Sequence, residues 1–308
     1  MTTILRDSFG RKVNNLRISV TQQCDLACFF CHKEGEKGQT QVEMTSEEIR
    51  RIVSIAASFG IDKVKLTGGE PLLRKDIAEV VSMIRDIPEI RDLAITTNGI
   101  QLEELAASLK TAGLSRANVS LGTVRVQTYR EITGVNAVEK VRRGILEAKR
   151  VGLHPIKLNM VVLKGLNEDQ VWEMVDFSKA AGFVLQLIEV ESPTAEDVYY
   201  KRFHKDMSEI EAELERRAQQ VVVREMQGRK RFFLQDGGEV EVVRPMHNTE
   251  FCRKCTRLRV TSDGKLKPCL FRNDNLVDIL SAIRSGASDE RLRELFRSAV
   301  VERRPYFA

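Results

Sequence analysis

All six cysteines of this 308-residue chain fall into two triplets, Cys24-x3-Cys28-x2-Cys31 near the start and Cys252-x2-Cys255-x13-Cys269 near the end. Any fold for the chain must gather each triplet at one point, which predicts two metal centres held by three thiolates each. Three protein sulfurs leave one coordination position open, and an open metal can bind and activate a small molecule. A disulfide framework is a poor alternative, because each triplet is odd and a chain of this length builds its own core. Scattered buried thiols are also a poor fit, since Gln22, Gln23, Asp25, His32, Lys33, Arg253 and Lys254 flank the cysteines. Structural zinc stays open for the second triplet, where His247 could complete a Cys3His set. The first spacing is a poor zinc pattern and favours an iron–sulfur cluster with one iron free of protein ligation.

With 42% hydrophobic and 30% charged residues, the composition is that of an ordinary soluble globular protein. The segment Met1 to Asp7 lacks an apolar signal region, and runs such as Met160 to Leu163 are too short to span a bilayer. A cytoplasmic protein with no membrane partner is therefore expected, which suits reduced thiols. The net charge of +5 comes from interspersed signs, so basic stretches such as Arg224 to Arg231 read as solvated surface. A modest basic excess is consistent with an anionic substrate. Nucleic acid is not expected as a partner, because only 6% of residues are aromatic and no basic stripe interleaves with them.

Apolar, β-branched runs at Leu16 to Val20, Lys63 to Leu66, Leu93 to Thr96, Ala117 to Leu121, Ile156 to Leu163 and Val184 to Val190 alternate with helical patterns. Thr45-Ser-Glu-Glu48 is a capping box, followed by a stripe of Ile49, Ile52, Val53 and Ala56. Further helices are predicted near 75–86, 101–112, 137–151 and 167–181. Such alternation implies an α/β fold with a parallel sheet curved into part of a (βα)6 barrel. Ligands of such sheets sit beyond the carboxyl ends of the strands. There lie the first cysteine triplet, Gly68-Gly69-Glu70-Pro71, Thr96-Thr97-Asn98-Gly99 and Ser120. After Ser208 the pattern changes to short segments at 221–223, 231–234 and 240–243, then a hairpin at 257–267 that returns Cys269 to Cys255. Helices are predicted near 276–285 and 288–299. The division expected is a barrel core over 1–215 and a C-terminal antiparallel β/α region over 216–308 that carries the second metal centre.

The string from Arg17 to Cys31, with Thr67-Gly-Gly-Glu-Pro71, resembles the radical S-adenosylmethionine enzymes. Cys252-x2-Cys255-Thr-Arg257-Leu-Arg259-x9-Cys269 narrows the resemblance to the molybdenum cofactor biosynthesis protein A family of GTP 3′,8-cyclases, most like its archaeal branch. The resemblance implies that Cys24, Cys28 and Cys31 bind a 4Fe–4S cluster whose open iron chelates the methionine part of S-adenosylmethionine. Gly69 and Ser120 would contact that cofactor, with Phe30 near adenine. A second 4Fe–4S cluster on Cys252, Cys255 and Cys269 would hold the guanine end of GTP. Arg17, Lys65, Thr96, Lys157, Arg257, Leu258 and Arg259 match the family's GTP-binding positions, and several cations suit a triphosphate. The reaction implied is abstraction of hydrogen from C3′ of the ribose by a 5′-deoxyadenosyl radical. Attack on C8 of guanine follows, and reduction gives (8S)-3′,8-cyclo-7,8-dihydro-GTP. A reduced ferredoxin or flavodoxin would donate electrons, a cyclic pyranopterin monophosphate synthase would take the product, and a homodimer is compatible.

Three positions depart from the commoner bacterial pattern. Gln186 stands where a cation is usual near the sixth strand, Gly122 replaces an aspartate, and Arg304-Pro-Tyr-Phe-Ala308 replaces a Gly-Gly terminus. Either Arg303 and Arg304 take over part of that tail's role or the site is completed differently. The other readings are a radical enzyme with an auxiliary cluster acting on a peptide or nucleic acid, and a metal-binding regulatory module.

Overall fold

The first helix shows how local chemistry sets the elements. In α1 (Ser46–Ala57) the Thr45 hydroxyl accepts from the Glu48 N–H at 3.2 Å, and the Glu48 carboxylate accepts from the Thr45 N–H at 2.8 Å. Its stripe of Ile49, Ile52, Val53 and Ala56 is fully buried. The computed structural model describes residues 4–38, 40–192 and 197–307. Strands β1 (Asn15–Ser19), β2 (Lys63–Thr67), β3 (Asp92–Thr97), β4 (Arg116–Ser120), β5 (Lys157–Val162) and β6 (Val184–Glu189) follow one another in space, all parallel. They are connected through α1, α2 (Ile77–Arg85), α3 (Leu102–Thr111), α4 (Val126–Thr133) with α5 (Val138–Arg150), and α6 (Val171–Ala181). This is the expected α/β barrel segment. Helix α4 was not legible beforehand.

After α7 (Val198–Phe203) and α8 (Ser208–Arg217), strands β7 (Ala218–Val223), β8 (Lys230–Leu234) and β9 (Glu239–Val243) form an antiparallel meander. Helix α9 (Thr249–Arg253) precedes the antiparallel strands β10 (Arg257–Val260), β11 (Lys265–Lys267) and β12 (Val277–Asp278). The two antiparallel sets do more than pair with themselves. β9 adds to β6 and β10 adds to β1, both in parallel, giving one 12-stranded sheet with eight parallel strands at its centre. Barrel edges carry unpaired N–H and C=O groups, and these additions satisfy them. The chain ends in α10 (Leu280–Arg284) and α11 (Asp289–Val301). α11 buries Leu292, Phe296 and Val300 and sets Phe296 against Phe59 at 6.2 Å. Among the described residues, no helix is long and apolar enough to cross a membrane.

Candidate active site

The loops leaving β1, β2 and β3 are knotted together by one buried carboxylate. Glu70 accepts from the Asn98 N–H at 2.6 Å, the Thr97 hydroxyl at 2.6 Å and the Leu72 N–H at 3.0 Å. Burial nevertheless pushes Glu70 up to about 7. Asn98 in turn donates to Asp25, inside the cysteine loop, at 2.6 Å. The glycines of the β2 loop are there because that loop lies directly against them. A Cβ on Gly69 would stand 2.1 Å from the Gln23 carbonyl oxygen, and one on Gly68, at φ +154, would stand 2.4 Å from the Thr21 carbonyl oxygen.

Within this frame the N–H of Lys33 donates to Cys31 Sγ at 3.4 Å, and that of Leu26 donates to Cys24. Loss of hydration raises all three thiols, Cys28 to about 12. Thiols so placed ionise when a metal cation joins them, and the amide donors then stabilise the thiolates, so the donor set fits an iron–sulfur cluster. Above them Tyr129 is 2% exposed, its hydroxyl has no partner, and burial raises its pKa.

The second triplet is built differently. Cys252 lies in the last turn of α9, whose start is capped by Asn248 accepting from the Phe251 N–H at 3.0 Å, and the β10–β11 hairpin returns Cys269 to it. Backbone amides of Arg257 and Phe271 donate to Cys255 and Cys269. Asp7, on the N-terminal segment, pairs with Arg11 at 2.7 Å and Arg303 at 2.9 Å. Arg11 donates to the Cys252 carbonyl at 2.8 Å, and Arg303 donates to the carbonyls of Cys255 and Arg257. Burial alone would raise Cys255, but the guanidinium groups of Arg303 and Arg257 outweigh it and hold the thiol below its ordinary range. Burial leaves Cys269 raised. His247 packs on Phe307 at 5.0 Å. Among the described residues, no three His, Cys, Asp or Glu side chains are close enough to hold a single metal ion.

Both triplets open into one cavity of about 1080 Å³. Parallel register sets Arg259, Arg17 and Lys65 side by side on β10, β1 and β2, so three cations share one face of the sheet. Glu34 answers Arg17 at 3.2 Å and accepts from the Thr67 hydroxyl at 2.9 Å. Burial would raise Glu34, but Arg17 and Arg259 bring it down to about 2. Lys65 is open to the cavity yet enclosed by protein. Burial, then Arg116, Arg17 and Arg257, push it well below the ordinary lysine range. Nε of Arg17, Arg257 and Arg259 and the Thr96 hydroxyl are buried without partners. Such a cluster of unmatched donors and like charges is complementary to a polyanion.

The first half of the chain, residues 18–178, matches the radical SAM superfamily, which sets the class of enzyme. Residues 183–308 match the Molybdenum Cofactor Synthesis C family. The chain is 52% identical, over 99% of its length and 100% of the relative's, to a probable GTP 3′,8-cyclase of Thermococcus kodakarensis. It is 48% identical to one of Pyrococcus horikoshii over 99% of this chain and 98% of that one. The corresponding figures for Methanothermobacter thermautotrophicus are 47%, 98% and 99%. Among solved structures, peptide-bound Streptococcus suis SuiB shares the fold, with a TM-score of 0.65 and 20% identity over 93% of this chain and 67% of that one. The chain belongs to the GTP 3′,8-cyclase family of the radical SAM enzymes.

Arg17, Phe30, Lys65, Gly69, Thr96, Ser120, Lys157, Arg257, Arg259 and all six cysteines line the cavity. Leu258 does not: it is 0% exposed in the core, on the face of β10 opposite its two arginine neighbours. Phe30 meets Phe29 edge to face at 5.6 Å. Gln186 accepts from Asn118 at 3.0 Å. The tail splits its roles, with Arg303 buried under the second thiol loop and Arg304 and Tyr306 at the cavity wall, while Ala308 lies outside the described residues. Sequence reasoning missed Glu34, Tyr129 and Glu241. It also placed the Arg224 to Arg231 stretch in solvent, whereas Arg229 is turned inward to Glu241. Only the alternation of β8 and the position of its turn carried a signal.

Proposed function

We propose that this protein converts GTP to 3′,8-cyclo-7,8-dihydro-GTP for molybdenum cofactor biosynthesis. Cys24, Cys28 and Cys31 hold the 4Fe–4S cluster expected of a radical SAM enzyme, and Cys252, Cys255 and Cys269 hold a second one. When bound, the clusters and S-adenosylmethionine supply the electron and the hydrogen-abstracting radical. The protein's share is placement. Gly69, Ser120 and Phe30 hold the cofactor on the Glu70 side. Arg17, Lys65, Thr96, Lys157, Arg257 and Arg259 hold GTP so that C3′ of the ribose faces the cofactor, and the enclosing barrel keeps water and other hydrogen donors away. The β10–β1–β2 row of cations with unmatched donors, set between the two thiol triplets, carries this reading. The names of the full-length relatives agree with it. A low-potential donor of ferredoxin or flavodoxin type and a downstream cyclic pyranopterin monophosphate synthase complete the proposed setting. Incubation with GTP deuterated at C3′ should move deuterium into 5′-deoxyadenosine. Cyclised product accompanied by unlabelled 5′-deoxyadenosine would overturn the assignment.

A further inference from the structure

Gln186 leaves the sixth strand without a cation on the cavity side, yet the next strand outward gathers three. In parallel register Gln186 stands beside Glu241 of β9. That carboxylate is 0% exposed and takes Lys157 at 2.8 Å, Arg229 at 2.9 Å and Arg224 at 3.2 Å. One carboxylate cannot neutralise three cations. Glu241 itself is held down to about 2, since Arg229 and Lys157 outweigh its burial. Lys157 and Arg229 are also pushed below their ordinary values, burial being the larger cause, so each is only partly compensated. Both arginines line the cavity, and Arg229 keeps its buried Nε without any partner.

The turn that carries them is fixed. The Arg224 N–H donates to the Arg229 carbonyl at 2.9 Å, closing the segment between β7 and β8. Gln227, at φ +65, donates its N–H to the Lys254 carbonyl at 3.0 Å, inside the second thiol loop. The guanidinium groups are thus held in place before any ligand arrives, which lowers the entropic cost of binding.

We propose that Arg229, with Arg224 beside it, grips the terminal phosphates of the nucleotide from the β7–β8 wall, and that Glu241 is the positioning residue that aims them. This rests on the reading of GTP as substrate. It assigns to the C-terminal wall the phosphate contact that Gln186 cannot make. A guanidinium bound to phosphate is worth enough for a roughly tenfold or larger change in affinity.

The test is anaerobic calorimetry of the reconstituted protein with GTP, ATP, GDP, GMP and inorganic tripolyphosphate. Arg229→Gln should weaken GTP and tripolyphosphate about tenfold or more while GMP binding stays within about twofold. Arg229→Lys should restore part of the loss. Glu241→Gln should narrow the preference for GTP over GMP in the same direction. Equal weakening of GTP, GDP and GMP in Arg229→Gln, or no change in GTP and tripolyphosphate, would overturn the inference while leaving GTP as substrate. Wild-type protein that binds tripolyphosphate through Arg229 but shows no preference for GTP over ATP would instead remove the substrate reading and keep the phosphate grip. Should Arg229→Gln fail to fold, Arg224→Gln is read in the same way.

Discussion

Around Cys24 and Cys28 the charged neighbours are Asp25 and Glu70, and Cys31 has Glu34 with Lys33 beside it, whereas Cys255 faces Arg303, Arg257 and Arg259. The same donor type in the same cavity therefore sits in two opposite fields. On the first side desolvation and acidic groups raise the thiols, and a cationic ligand such as a sulfonium is welcome there. On the second side guanidinium groups favour anions, both the Cys255 thiolate and a polyphosphate, while burial keeps Cys269 raised. Two cysteine triplets can thus be assigned different partners from their surroundings rather than from the cysteines themselves.

The most severe break of this comparison is to remove one thiol from each side. Cys28→Ala should reduce both 5′-deoxyadenosine formation and GTP cyclisation to background. Cys255→Ala should lose cyclisation and GTP binding while some cofactor cleavage persists. Chromatographic measurement of both products separates the outcomes, and identical profiles for the two variants would mean the sides are not specialised.

A smaller lesion tests the support of the second side alone. Arg303 is 1% exposed and paired with Asp7, which is buried too. Arg303→Ala leaves that carboxylate with Arg11 as its one guanidinium partner and releases the Cys255 and Arg257 carbonyls, at an expected cost of about 1–3 kcal/mol. Iron content should fall from about eight to about four per chain, the N-terminal cluster remaining. Unchanged iron with a lowered melting temperature would limit Arg303 to a stabilising role.

Much of this contrast was legible early. The first cysteine loop and the Gly68–Gly69 loop follow strands that β-branched runs mark clearly, so their meeting at one barrel end follows from topology. The contacts that set the two fields were not. Glu241 meets Lys157 across 84 residues of chain, and nothing local in either segment reveals the other. Likewise β9 and β10 read as hairpin strands, and their second, parallel pairing depends on which barrel edges stand open. Leu258 is the opposite case: strand alternation that aims Arg257 and Arg259 inward already turns the residue between them into the core.

Acid and base titrations should split the sides by sign. An ordinary glutamate titrates near 4.5, while Glu34 and Glu241 on the cationic side lie at about 2 in the folded chain. Below pH ~4.5 the unfolded chain binds more protons than the folded one, so their stabilisation is present above that value and lost as pH falls toward ~2. Glu70 runs the other way: raised to about 7, it contributes below pH ~4.5 and loses that contribution as pH rises through ~7. Melting temperatures from pH 3 to 8 should show both slopes. Glu34→Gln should flatten only the acid one and Glu70→Gln only the neutral one, and any other pairing of variant with slope would reverse the assignment.

The finest test reads protons during binding. Lys65 is pushed well below the lysine range by burial and then by Arg116 and Arg17, and an arriving anion shifts it back toward that range. Titration with GTP across the pH range in which Lys65 titrates should therefore take up at most about one proton per nucleotide, measured by calorimetry in buffers of different ionisation enthalpy. Lys65→Met should abolish the uptake and weaken binding. S-adenosylmethionine brings a net positive charge toward Glu70, whose pKa near 7 leaves it partly protonated, so its binding should release protons. Opposite signs for the two ligands would tie each to its own side of the cavity. The same sign for both would mean that the two fields do not sort the ligands.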